Sequence, residues 1–320
     1  MRKTILKPLL AIVCILSSIT LYAHDFEVDG IYYRLLSEEN QVAVTYYGDD
    51  VYDVPKEYIY TGSVTIPETV TYQGATYSVT SIGNEAFYCC TGLTEIIIPN
   101  SVTSIGEEAF AYCACLTEVT IPNSVTSIGE RAFNDCSGLI SITIGNSVTS
   151  IGDHAFHYCI GLTEVTIPNS VNSIGDGAFY LCTSLTSIDI PNSVTKIGVE
   201  AFSGCTSLTS IDIPDSVTEI DRRAFYGCTS LTSLDIPDSV TEIGGRAFSE
   251  TKWLEERPKG LVIINDILYS CTDKDATSID IPNSVTKIGV GAFEGCTSLT
   301  SVDIPNSVTG IEDGAFYKCI

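Results

Sequence analysis

From Val64 onward the apolar and polar positions return on a fixed 23-residue step. In Leu208-Thr-Ser-Ile211-Asp-Ile213 the apolar residues at 211 and 213 alternate with polar ones, and Pro214 ends the run. Alternation at period two marks a short half-buried strand, which proline does not continue. Val217-Thr-Glu-Ile220 predicts a second short extended segment. Ala224-Phe225 begins a tight turn or a short 3₁₀ piece on the other side of the coil. The Ala-Phe pair puts phenylalanine at 87, 110, 133, 156, 179, 202, 225 and 248, and resumes at 293 and 316 after a gap of 45. Leucine keeps the step from Leu93 to Leu254 and again at Leu299. Proline keeps it from Pro99 to Pro237, with Gly145 standing in once, and resumes at Pro282 and Pro305. A glycine column from Gly106 to Gly289 is broken by Asp221, and by Glu312 beyond it. A 23-residue unit cannot bury its own apolar face, so its Leu, Ile, Val, Phe and Cys must form ladders against neighbouring copies. The predicted fold is an α/β repeat solenoid of short parallel strands about 4.8 Å apart, joined by turns or 3₁₀ pieces.

Three stretches depart from the step. Residues 24–60 do not follow it. Val28-Asp-Gly-Ile31 is a hairpin signal and Gln41–Tyr47 reads as a further strand, so this segment is expected to be an N-terminal β cap over the first coil. Pro67 to Pro99 is 32 residues, nine over the period, with a turn around Gln73-Gly74. Between residues 249 and 281 the repeat decays. Leu261–Tyr269 there predicts a hairpin protruding in place of a regular rung. The solenoid is expected over 61–320.

The unit Leu-x-x-Ile-x-Ile-Pro-x-x-Val-x-x-Ile-Gly-x-x-Ala-Phe-x-x-Cys resembles the BspA-type leucine-rich repeat, from about Val64 to the end. The segment Asp25–Tyr33 is similar to the leader of family members from gut and oral Gram-negative bacteria. The resemblance implies a curved leucine-rich-repeat coil, a surface location and, often, adhesion to host proteins. It implies no particular ligand, because the repeat is a scaffold.

The chain's start changes the picture of where it works. Arg2, Lys3 and Lys7 precede an apolar run from Leu9 to Leu16, and Leu21-Tyr22-Ala23 suits cleavage, so residues 1–23 read as a signal peptide. Val13 before Cys14 argues against lipidation. No later stretch is long and apolar enough to span a bilayer. The expected location is secreted or cell surface. Cleavage would remove three of the 16 lysines and arginines and none of the 40 acidic residues, taking the formal charge from −24 to −27. Such a chain excludes nucleic acid and anionic membrane surfaces as partners, and favours cations or basic proteins.

Candidate chemistry is sparse. Nine cysteines, from Cys90 to Cys319, each follow a ladder phenylalanine by three residues. They fit a buried apolar ladder best. Disulfides between adjacent rungs remain open in an exporting compartment, and zinc-ligand spacing is absent. Cys89, Cys115 and Cys271 lie off the ladder and are candidates for exposure. His154 and His157 beside Asp153 lack a third ligand or a nucleophile, so a solvated turn is the better reading. No catalytic constellation, metal site or cofactor motif is legible. The outward strand position runs Ile97, Thr120, Thr143, Thr166, then Asp189, Asp212, Asp235, Asp280 and Asp303. That row is either a solvated stripe or a face for Ca²⁺ or a basic protein. Trp253 and Tyr269 near the irregular unit are either exposed interface anchors or hairpin packing. The leading expectation is a non-enzymatic binding or adhesion protein that contacts host or neighbouring-cell proteins or glycans. The alternative is a structural surface or assembly element. The last coil, left incomplete at Ile320, would then offer a surface for self-association.

Overall fold

The structure is a computed structural model that describes residues 23–48, 50–51 and 59–319. The predicted leader lies outside them except for Ala23. The repeats wind into a β-solenoid with two strand ladders. On one side Glu118–Thr120, Ser141–Thr143, Glu164–Thr166 and Ser187–Asp189 pair in parallel. On the other, two-residue strands from Ser104–Ile105 to Glu242–Ile243 pair rung by rung in register 23. In these two ladders the inward residue of each strand is apolar and buried, as Ile142 and Ile128 are.

The third side of each coil is neither helix nor strand, which corrects the α/β expectation. Among the described residues the one α-helix is Lys252–Glu255, four residues long. Backbone conformation gives the reason. The residue before Ala-Phe has positive φ in every coil, as in Glu200 (56°), Arg223 (56°) and Arg246 (60°), and so does the residue two after it, as in Leu181 (56°) and Gly204 (74°). Two left-handed residues in so short a stretch rule out a continuous right-handed helix. The result is a chain of tight turns whose backbone pairs across coils: Phe225 N donates to Ala247 O (2.8 Å) and Gly227 N to Ser249 O (3.0 Å).

Inside these turns the phenylalanines stack. Successive centroids from Phe87 to Phe248 are 5.0–5.7 Å apart with planes within 15° of parallel. All are fully buried. The cysteine ladder runs beside them. From Cys113 to Cys228, and again at Cys319, the thiol donates to the carbonyl of the phenylalanine one coil back, as Cys205 does to Phe179 (3.2 Å) and Cys228 to Phe202 (3.1 Å). Burial pushes the Cys90 and Cys228 thiols up to about 12, so the reactive thiolate is suppressed. The described cysteines are free, and of the three off-ladder ones only Cys115 is exposed. Cys271, a candidate for exposure by sequence, is fully buried. Its position is one 23-residue step past Phe248, so it occupies a core site. We expect a thiol reagent to label Cys115 promptly in the native protein and the ladder only after denaturation. Ladder labelling at the Cys115 rate would refute the buried ladder.

At the N-terminal side, Phe26–Val28, Ile31–Leu35 and Gln41–Thr45 form an antiparallel meander through a turn at Asp29 (φ 53°) and Gly30 (φ 79°). Gln41–Thr45 then pairs in parallel with Ala75–Ile82. Tyr60 lies against Phe87 (4.6 Å) at the end of the aromatic stack, its hydroxyl donating to Thr45 O (2.8 Å).

The irregular unit differs from the sequence expectation. Its hairpin, Leu261–Ile264 with Ile267–Cys271, does not protrude. The second strand pairs in parallel with Lys287–Ile288, and Val262, Ile264, Ile267 and Leu268 are buried. The hairpin is apolar on both faces, so it is driven into the stack. It joins two separate cores, the larger ending at Tyr269 and the smaller running from Leu268 through Phe293 to Ala315.

Candidate functional site

The strand side that carries the aspartates presents alternate residues to solvent. Asp189, Asp212, Asp235, Asp280 and Asp303 are all exposed, and none makes an ion pair among the described residues. Asp212 and Asp235 are direct register partners, as are Asp280 and Asp303. Asp189 pairs instead with Thr166. The face is therefore a run of three blocks rather than one unbroken ladder, because the strand pairing stops between Asp189 and Asp212 and again between Asp235 and Asp280. Like charges on directly opposed positions repel, so each pair gains from a cationic partner.

The threonine row beside it is partly committed to the fold. Thr186 and Thr232 each donate their hydroxyl to the threonine carbonyl one coil back, at 3.3 and 3.4 Å. Their oxygens remain able to accept. The carboxylates of the opposite ladder are partly compensated by lysines. Lys196 bridges Glu219 and Asp221, both at 2.9 Å, and Lys287 bridges Glu242 (2.8 Å) and Glu312 (3.1 Å). Asp221 and Glu312 are the two residues that break the glycine column, so each finds a lysine of another coil.

The aromatic pair is placed in packing positions. Tyr269 is buried, its ring 5.4 Å from Phe248 and its hydroxyl accepting from Phe248 N (2.8 Å). It cannot act as an exposed anchor. Trp253 is half-buried against Phe248 (5.4 Å), with the Arg257 guanidinium 4.1 Å over its other surface. It sits on the short helix, whose cap is Thr251 and whose Trp253 N continues the ladder to Leu231 O (2.7 Å).

His157 stacks on Tyr180 (4.9 Å) and bonds Asn134 Oδ1 through Nδ1 (2.8 Å). Burial, reinforced by His154, holds its pKa down to about 4. It is thus neutral near pH 7 and part of an aromatic cluster. Among the described residues no group of three His, Cys, Asp or Glu is placed to hold a metal ion, and no helix is long and apolar enough to cross a membrane.

Sequence reasoning passed over the basic residues. Arg222, Arg223, Arg246, Arg257, Lys259 and Lys274 converge on one concavity at the irregular unit. Their only sequence signal is crowding, since few of the chain's cations lie in the other repeats.

Parallel short strands, internal Leu and Phe ladders and turns on the third side define a leucine-rich-repeat solenoid. The chain belongs to the BspA type leucine-rich repeat family: six copies of that repeat region match residues 80–207, 149–271 and 262–320. Among solved structures it is similar to a leucine-rich repeat protein from Bacteroides ovatus, at 33% identity and TM-score 0.70 over 92% of this chain and 80% of that one. A leucine rich cell surface protein from Faecalibacterium prausnitzii is similar at 29% identity and TM-score 0.51, over 91% of this chain and 73% of that one. The leucine-rich repeat protein of T. pallidum is similar at 25% identity and TM-score 0.54, over 71% and 89%. No curated protein matches the sequence.

Proposed function

We propose that this chain is an exported, non-enzymatic binding protein that engages basic protein partners through the acidic strand face. The observation that carries the reading is the set of five exposed aspartates without ion-pair partners, two pairs of which lie directly opposed. Opposed carboxylates on a flat strand face suit an extended cationic partner held by several weak contacts, rather than one pocket. The signal-like start and the cell-surface description of the F. prausnitzii relative support export. The N-terminal meander acts in this reading as the cover of the first coil, supported by Tyr60 against Phe87.

The test begins with capture from extracellular-matrix extracts, followed by binding of the captured protein across a salt series. Replacing the five aspartates with asparagine should weaken binding by about tenfold or more at low salt and leave folding intact. The difference should shrink as salt rises, since exposed charges are screened within about 8–10 Å. Unchanged binding by the five-fold variant at low salt would reduce the row to a solvated stripe.

A further inference from the structure

The Ala-Phe column loses its 23-residue step between Phe248 and Phe293, and a cavity opens there. The turn around Arg246 and the turn around Gly291 face each other where a regular coil would place its own turn. Tyr269–Thr272 forms the floor, and the segment from Leu254 to Lys259 closes one side. The space is about 770 Å³, within the range of small-molecule sites, about 300–1,000 Å³.

Six of the chain's 16 lysines and arginines line it, in a protein with 40 acidic residues. Three of the six are compensated. Arg246 forks onto Glu294 (Nη2–Oε1 2.5 Å, Nε–Oε2 3.1 Å) and bridges the two turns; Arg223 pairs with Glu200 (2.9 Å) and Lys259 with Asp275 (3.4 Å). Arg222 and Arg257 make no ion pair among the described residues. Lys274 donates to the main-chain oxygen of Glu294 (2.6 Å), which orients the ammonium without neutralising it. Trp253 likewise fixes the Arg257 guanidinium while leaving its charge. Against these stand Glu250, which accepts from the Tyr226 hydroxyl, and Glu255. Ser270 adds a hydroxyl, and Leu254 and Val290 add apolar surface.

We propose that this cavity binds an acidic saccharide unit, with its carboxylate or sulfate on Arg222, Arg257 and Lys274. Two fixed cations, Arg257 and Lys274, with Arg222 in the same lining beside a hydroxyl and small apolar patches, match a compact, hydroxyl-rich ligand that carries one or two anionic groups. A short cleft bounded by two turns and a short helix fits such a unit better than it fits an extended acidic peptide.

Calorimetric titration of the intact chain tests this with digalacturonate, a heparin-derived disaccharide, the neutral disaccharide galactobiose, and a glutamate hexapeptide. At least one acidic sugar should bind and galactobiose should not; which one binds separates carboxylate from sulfate. The double substitution R222Q/K274Q should weaken that binding by about tenfold or more, and R257Q, made separately, should weaken it as well. Circular dichroism checks that the variants fold. The five-fold aspartate variant should bind the sugar unchanged, which separates this site from the strand face. Failure of both acidic sugars to bind, equal binding of galactobiose, retention of affinity in both arginine and lysine variants, or binding of the glutamate peptide alone would overturn the proposal.

Discussion

Phe225→Ala should lower the unfolding free energy by about 3–5 kcal/mol, the range for deleting a buried phenylalanine ring. Phe225 has no exposed surface, and its ring stacks on Phe202 (5.4 Å) and on Phe248 (5.7 Å). Alanine removes contacts on both sides at once. The neighbouring coils cannot close the gap, because their backbones are tied across it by Phe202 N to Ala224 O and Phe225 N to Ala247 O, both 2.8 Å. Urea unfolding followed by circular dichroism measures the loss. In a stacked array the damage falls on the two flanking interfaces, so it also shows as local protease sensitivity. Thr206→Ala removes only a 3.4 Å hydroxyl contact to Thr183 O, and should change stability by less than about 0.5 kcal/mol. A Phe225→Ala effect near zero would refute the stacked core.

Gly129→Ala should destabilise by about 1–3 kcal/mol, as overpacking does. A Cβ built on Gly129 would fall 2.6 Å from the carbonyl carbon of Gly106 and 2.7 Å from Glu107 N. Those atoms are backbone of the preceding coil, held by the strand ladder, and cannot swing aside. Gly227→Ala separates this crowding from conformational strain. Gly227 has φ +70°, yet a Cβ there meets nothing closer than 3.9 Å. Its cost is the left-handed penalty alone, about 1–2 kcal/mol. If Gly129→Ala proved neutral by the same urea measurement, the glycine column would owe nothing to close approach between coils.

The ladders were legible because single residue types keep the step: a phenylalanine every 23 positions has one physical explanation. The third side was not. Ala-Phe-x-x-Cys carries no sign of φ, and positions held by Glu200 and Arg223 conceal a left-handed backbone. Gly177 and Gly291, in the same column, were the available hint. The hairpin at Leu261–Tyr269 was legible as a hairpin, but its place was not. Its nearly continuous apolar run, buried on both faces, was the signal for insertion rather than protrusion. The aspartates were found by periodicity, which fixes the face each side chain shares but not which coils are adjacent. Asp235 and Asp280 are 45 residues apart, with the irregular unit between them. The basic cavity draws on residues from Arg222 to Lys274 and follows no motif. Only the missing turn brings them together.

The register of 23 residues also bears on heredity. Neighbouring coils are nearly interchangeable in sequence, as Thr206–Cys228 and its neighbours show. Unequal crossing-over between such copies would add or remove whole coils, and every ladder would rejoin in phase. A gain or loss that is not a multiple of the period must instead be absorbed outside the ladders, as it is at the irregular unit, where 45 residues separate Phe248 from Phe293. The breadth of the strand face is thus free to drift between lineages, while the irregular unit, present once, keeps its cavity single whatever the number of coils around it.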